Sequence, residues 1–276
     1  MPLKDLLVIV DNTKAAARRI DYAATLADKH DAHLTGLYVK SPPQVPAYVE
    51  AAFPPDVRRL QQRMLDELAE KARHVFDDAI QRAGRGDRSE WRVAHGDAEV
   101  AAEILVRYSD LIIAGQVDPD EDDRLGTINP GDLVLGCGRP VLLVPYAYRL
   151  EHADQRVLVA WDGSREAARA IADAMPLLER AVHVTVLAVN PGPDLGDEPC
   201  ADITLHLARH NVPAEAAHMV SEDLDTADAL LSRAADLSVD LIVMGAYGRR
   251  RLRDLVMGSV TGHLLRHMTV PVLMSH

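Results

Sequence analysis

At 276 residues the chain is too long for one minimal domain and suits two compact domains of ordinary size, each able to close its own hydrophobic core. Hydrophobic residues make up 48% and aromatic residues only 4%, which excludes global disorder and predicts aliphatic cores of Leu, Ile, Val and Ala. Thirty basic residues against 42 acidic ones give a net charge of -12, a field that opposes binding to nucleic acid or an anionic membrane but leaves small phosphorylated ligands open to backbone donors.

The first apolar run, Leu6 to Val10, is bracketed by Asp5 and Asp11 and followed by no small-residue cleavage site, so it reads as a β-strand and not as a signal peptide. No apolar stretch approaches the roughly 20 residues of a membrane-crossing helix, and the expected compartment is the cytoplasm. Ala16, Ile20, Ala23, Ala24 and Leu26 then recur at helical spacing before a second strand near Leu34 to Val39. The Pro-rich segment Ser41 to Val57 follows, expected to be irregular or extended because proline removes amide donors and disfavours a preceding helical residue. It is either a flap or partner surface exposing Tyr48 and Phe53, or a linker packed on the long helical pattern that runs on to Ala83. Gly96 and Asp97 read as a turn and cap before another helical pattern. The strand DLIIAG at Asp110 to Gly115 and the strand RPVLLVP at Arg139 to Pro145 close this half. The polar junction Tyr146 to Asp154 is so short that the halves are expected side by side.

At Arg156 the pattern restarts as RVLVAWDGSREAARAIADAM, with Ala167, Ala170, Ile171 and Ala174 facing a sheet. DLIVMG at Asp240 to Gly245 matches DLIIAG, and TVPVLMS at Thr269 to Ser275 matches RPVLLVP. Apolar runs without alternation are what a parallel sheet covered on both faces requires, so each half is a series of strand and helix units. The expected domains are residues 1–149 and 154–276. Asp11 to Asp162 is an offset of 151, whereas Asp110 to Asp240 is 130 and Pro140 to Pro271 is 131, which gives the first copy about twenty extra residues before its fourth strand. The Pro-rich segment and the start of its helix account for them.

The strongest chemical pattern lies from Leu241 to His267. Gly245 ends a strand, Gly248 follows two residues later, and Gly258 with Ser259 opens the next helix after nine more. Glycines allow close backbone approach, and exposed amides at a helix start make an anion pocket. Ser259 and Thr261 offer hydroxyls there, although either could simply cap the helix. Arg249, Arg250, Arg251 and Arg253 form a basic patch, of which Arg249, next to Gly248, is the candidate phosphate partner. Asp162 ends the first strand of this copy at the carboxyl edge of the sheet, where it could bond an adenine or ribose or cap the helix after Ser164. Trp161 adjoins it.

With these residues the chain resembles the universal stress protein family in its tandem two-domain form. The family pattern of glycine, two residues, glycine, nine residues, then glycine and serine is met by Gly245, Gly248, Gly258 and Ser259, together with Asp162 and a terminal PVL strand. The resemblance implies an α/β fold of two tandem Rossmann-like domains, each a five-stranded parallel sheet of order 3-2-1-4-5 flanked by helices. It also implies ATP, or another adenine nucleotide, bound with Mg in the second domain. Asp162 would lie near the base or ribose and Val189 would offer backbone contacts to adenine. Gly245, Gly248, Arg249, Gly258, Ser259 and Val260 would surround ribose and phosphate.

The first copy departs from this pattern. Asp11 and Gly115 remain, but Thr127 and Ile128 stand opposite Gly258 and Ser259, and Asp118, Asp120, Glu121, Asp122 and Asp123 would repel phosphate. A cation among these carboxylates is the weaker alternative to a solvated charge run. Cys137 and Cys200 form no metal cluster or disulfide framework, as expected in a reducing compartment. His263 and His267 share a helical face without a third ligand, which favours packing over zinc. The leading functional expectation is an ATP-binding stress-response or regulatory protein, with a regulatory protein partner and a possible homodimer. The alternatives are a slow ATPase or phosphotransfer enzyme, for which no catalytic residue can be assigned, and a nucleotide-independent interaction module.

Overall fold

The computed structural model describes residues 2–42, 48, 53–96, 104–121, 128–149, 156–221, 223–248 and 260–276. The chain divides into two compact units, Leu3–Leu133 and Val134–His276, the latter with Met1–Pro2.

In the first unit, β1 (Asp5–Ile9), α1 (Ala16–His30), β2 (His33–Lys40), α2 (Pro55–Ala83), β3 (Ser89–His95) and β4 (Leu111–Gly115) follow in chain order. The strands lie in the order β3-β2-β1-β4, and every pair is parallel. The central strands bury apolar runs, with Leu6, Val8, Leu34, Leu37, Ile112 and Ile113 all buried. The helix after the Pro-rich segment begins earlier than its composition predicts: Pro54 and Pro55 stand at the N-cap and first turn of α2, where a missing amide costs nothing. Tyr48 is 78% exposed and Phe53 half-buried. The remainder of the candidate flap, residues 43–47 and 49–52, lies outside the described residues. Phe76 anchors α2 on the sheet, its ring packed where Gly36 leaves room: a Cβ at Gly36 would fall 2.6 Å from that ring. Phe76 also packs against Trp91, their ring centroids 5.4 Å apart.

The second unit contains β5 (Val141–Val144), β6 (Arg156–Ala160), α4 (Arg165–Leu178), β7 (His183–Val189), α5 (Ala201–Arg209), β8 (Ala214–Met219), α6 (Thr226–Asp236), β9 (Leu241–Gly245), α7 (Val260–His267) and β10 (Val272–Ser275), while α3 (Pro130–Gly136) precedes β5. Pairing of β10-β9-β6-β7-β8 is parallel throughout. The expectation of an all-parallel sheet in each domain needs correction at one place. β5, the closing strand of the first sequence repeat, runs antiparallel along the outer edge of β10, with Val272 opposite Leu143 and Met274 opposite Val141. Both strands are apolar and buried, and their pairing covers a backbone edge that would otherwise face solvent unpaired.

The repeat reaches atomic detail at the amino ends of the strands. Asp110 accepts from the Asp5 amide at 3.0 Å and returns its own amide to the Asp5 carbonyl at 2.8 Å. Asp240 does the same with Arg156, at 2.9 Å in each direction.

Candidate functional site

Four of the candidate residues lie at the carboxyl ends of β6, β7 and β9: Asp162, Val189, Gly245 and Gly248. The last β6–β7 pair is Ala160 opposite Leu187, so Asp162 and Val189 each lie two residues beyond it. Continuing the β6–β9 register of Ala160 opposite Met244 by one puts Trp161 level with Gly245. Between them runs a tight turn into α4, made possible by Gly163 at φ 72°. Asp162 is exposed, and its Oδ1 accepts from the Ser164 amide at 3.0 Å. Ser164 in turn caps α4, its Oγ accepting from the Ala167 amide at 3.1 Å. Asp162 therefore does structural work in the turn, whatever else it contacts.

Gly245 is the point of closest approach between β9 and α4. A Cβ there would lie 2.5 Å from the Glu166 carbonyl carbon and 2.9 Å from the Glu166 Cβ, so no other residue fits without displacing the helix. A Cβ at Gly248 would meet the same helix start at more ordinary range, 3.6 Å from Glu166 Oε2 and 3.9 Å from Ser164 Oγ. Between the two, Tyr247 adopts φ 55°, and its amide donates to Thr261 Oγ1 at 3.3 Å. Thr261 is buried, so its hydroxyl ties α7 to the glycine turn and is not displayed to a ligand. Val260 opens α7 half-buried, and Val189 ends β7 half-buried. Arg249, Gly258 and Ser259 lie outside the described residues, as do Arg250, Arg251 and Arg253.

Sequence reasoning missed Glu166. It is 2% exposed at the second position of α4, where composition offers only the ordinary preference of an acidic residue for a helix start. Burial alone would raise its carboxyl. Hydrogen bonds from Arg165 and from its own amide, with the charges of Arg165 and His276, instead hold it below the usual carboxylate range. His276 belongs to the same corner, its Nδ1 3.0 Å from the Ala246 carbonyl oxygen.

The corresponding corner of the first repeat is filled from within. Arg19, 3% exposed, lies beside Gly115 and donates from Nε to the Ile9 carbonyl at 2.9 Å, with Nη2 2.7 Å from Asp11 Oδ2. That last contact is an ion pair by distance without hydrogen-bond alignment. Asp11 also accepts from the Thr13 amide at 3.1 Å and hydroxyl at 2.5 Å. Burial pushes its carboxyl up, but the Arg19 charge and the Thr13 bonds outweigh burial and hold it low. Ile128 is buried. Asp118 and Glu121 are described, with Asp118 closing a turn onto the Asp120 amide at 3.0 Å, while Asp122, Asp123 and Thr127 lie outside the described residues.

Against known proteins, the profile of the universal stress protein family matches residues 2–144 and again 155–276. The chain belongs to the universal stress protein family. A universal stress protein of Synechocystis sp. is 25% identical over 292 positions, covering 98% of this chain and 99% of that one. The crystal structure of a universal stress protein from Archaeoglobus fulgidus superposes with a TM-score of 0.72 at 15% identity, covering 98% of this chain and 97% of that one. A functionally unknown protein from Pseudomonas aeruginosa gives a TM-score of 0.60 at 16% identity, covering 99% and 92%. At such identities the structural likeness speaks for the fold.

Other features of this universal stress protein have structural explanations. The Cys137 thiol donates to the Arg139 carbonyl at 3.2 Å, and the Cys200 thiol donates to that of Ala217 at 3.3 Å. Burial pushes the Cys200 thiol above its ordinary value, which makes it a poor nucleophile. His263 pairs with Asp228 at 2.7 Å, joining α7 to α6. Among the described residues no group of three or more His, Cys, Asp or Glu is placed to hold a metal ion. No described helix is long and apolar enough to cross a membrane. A groove of about 500 Å³ between α2 and β3, lined by Phe76, Ile80, Glu90 and Trp91 among others, opens at the amino end of β3. Ligand sites of open α/β sheets form at the other end, so the strand-end corner is the better candidate.

Proposed function

We propose that this is an adenine-nucleotide-binding regulatory protein of the stress response, with ATP and Mg held in a domain comprising residues 154–276. The observation that carries the reading is the contrast between the two repeats. In the second, Asp162, Gly245 and Gly248 converge on one corner at the strand ends. In the first, the Arg19–Asp11 ion pair fills that corner.

The fit is to the ribose and proximal phosphates. Gly245 and Gly248 present backbone without side chains, and Asp162 keeps an exposed carboxylate just past the end of β6, where an adenine or ribose hydroxyl can bond. Arg249, Gly258, Ser259 and Val260 complete the proposed phosphate contacts. ATP in this protein acts by occupancy: it favours whichever conformation binds it better, and its effect passes to a protein partner without a chemical step. The cytoplasm is the proposed compartment, and a homodimer is a further proposal that light scattering across a concentration series decides.

Calorimetric titration with ATP and Mg tests the reading. Wild type is expected to bind, and Gly258→Asp to lose at least about tenfold in affinity because the added carboxylate crowds and repels phosphate. No saturable binding by wild type overturns the proposal, and equal affinity in the variant moves the site elsewhere.

A further inference from the structure

The outer strand of the first unit is complementary to itself. β3 ends the order β3-β2-β1-β4, so one side of its backbone has no ladder partner among the described residues. Glu90 and Arg92 share one face of this strand, their side chains 40% and 50% exposed, and Trp91 and Val93 share the other. Trp91 is half-buried against Phe76 of α2, and Val93 is 36% exposed. Charges on an edge strand guard it against pairing unless the approaching strand carries opposite charges at matching positions.

We propose that β3 is the surface through which two copies of this chain pair, antiparallel about a two-fold axis at Trp91. Residues directly opposite in such a pair share a face, so a symmetric pair is centred on a residue. Centring on Trp91 stacks the two indoles as neighbours and sets Glu90 of each copy opposite Arg92 of the other. Centring on Glu90 or Arg92 sets like charges opposite each other, and centring on Val93 leaves Glu90 and Arg92 without each other. The same axis lays α2 of the two copies in opposite directions on one face of the joined sheet. There α2 carries a second reciprocal set, Arg73 and Asp77, four residues apart, 51% and 53% exposed, and both lining the groove beside β3. Arg73 of each copy then faces Asp77 of the other, and pairing covers the groove that Phe76, Ile80 and Trp91 line. The outer strand of the second unit offers no such match. In β8, Glu215 and His218 are three residues apart and lie on opposite faces, so they cannot oppose each other in a symmetric pair.

The inference gives the homodimer proposed above a surface and does not depend on nucleotide, so the test uses the full chain without ATP. Sedimentation across a concentration series is expected to show a reversible wild-type dimer. Arg92→Glu and Glu90→Arg each set like charges opposite each other and are expected to weaken dimerisation at least about tenfold. The double variant exchanges the two charges and is expected to return to within about threefold of wild type, which a merely structural role for either residue would not produce. A wild-type chain that stays monomeric at every concentration overturns the inference. A dimer that either single reversal leaves unchanged overturns it too, because the contact then lies elsewhere, as does a double variant as weak as the single ones. None of these outcomes touches the nucleotide reading, which stands or falls on the calorimetric titration.

Discussion

Gly245 and Gly248 are two residues of one sequence pattern, yet they are under different constraints. Adding a methyl group at Gly245 drives it into the backbone of α4, whereas at Gly248 it meets only the ends of Glu166 and Ser164 at van der Waals range. Gly245→Ala is therefore expected to lower unfolding free energy by about 1–3 kcal/mol in urea titration, and Gly248→Ala by no more than about 0.5 kcal/mol. Equal losses would mean that α4 can shift away from β9. Asp11 supports a pH prediction in the first unit. Its folded carboxyl lies below the ordinary 3.8, so it stabilises the fold fully above that value, and the contribution disappears as pH falls through the folded pKa. In Asp11→Asn the Arg19 charge remains buried without its counterion, at a cost of about 3–5 kcal/mol at pH 7. The gap between wild type and this variant should therefore narrow as denaturation midpoints are followed from pH 7 to pH 3. A constant gap would show that the pair is not electrostatically coupled to folding.

At the scale of elements, the central strands were legible because continuous apolar runs such as LIIAG and LIVMG have no other stable place than a covered parallel sheet. The outer strands were not. β3 reads SEWRVAH and β8 reads AEAAHM, each with one ladder partner among the described strands and mixed exposure, so neither the apolar run nor a clean alternation marks them. The antiparallel β5–β10 pair was equally hidden, because VLLV and VLMS look alike whichever direction they run. That pair makes a prediction about where the chain can be cut. A fragment beginning at residue 154 exposes the apolar edge of β10, and sedimentation should find it self-associated. A fragment beginning at Val134 retains β5 and should self-associate less. Identical behaviour of the two fragments would mean that the β10 edge needs no cover.

Across the whole molecule, duplication followed by divergence is plain in the sequence, and the Asp110–Asp5 and Asp240–Arg156 pairs show how closely the scaffold was kept. The site was only half legible. Glycine spacing located the corner of the second repeat, but Arg19 and Glu166 sit in ordinary helical patterns, and only the tertiary approach of Gly115 and Gly245 shows what each side chain is buried against. In the first repeat that approach buries a cation already paired with Asp11, and in the second it buries an anion near exposed Asp162. A ligand that discriminates between them should leave an uneven footprint. With Mg-ATP at about 100 times its Kd, binding adds about 2.7 kcal/mol to the stability of the domain that holds it. Hydrogen exchange should then slow in β6, the turn after it and β9, while amides of β1 and β4 exchange as before. Equal protection of both repeats would mean that the Arg19–Asp11 pair opens to admit a second nucleotide, and that the contrast between the corners does not govern where the ligand binds.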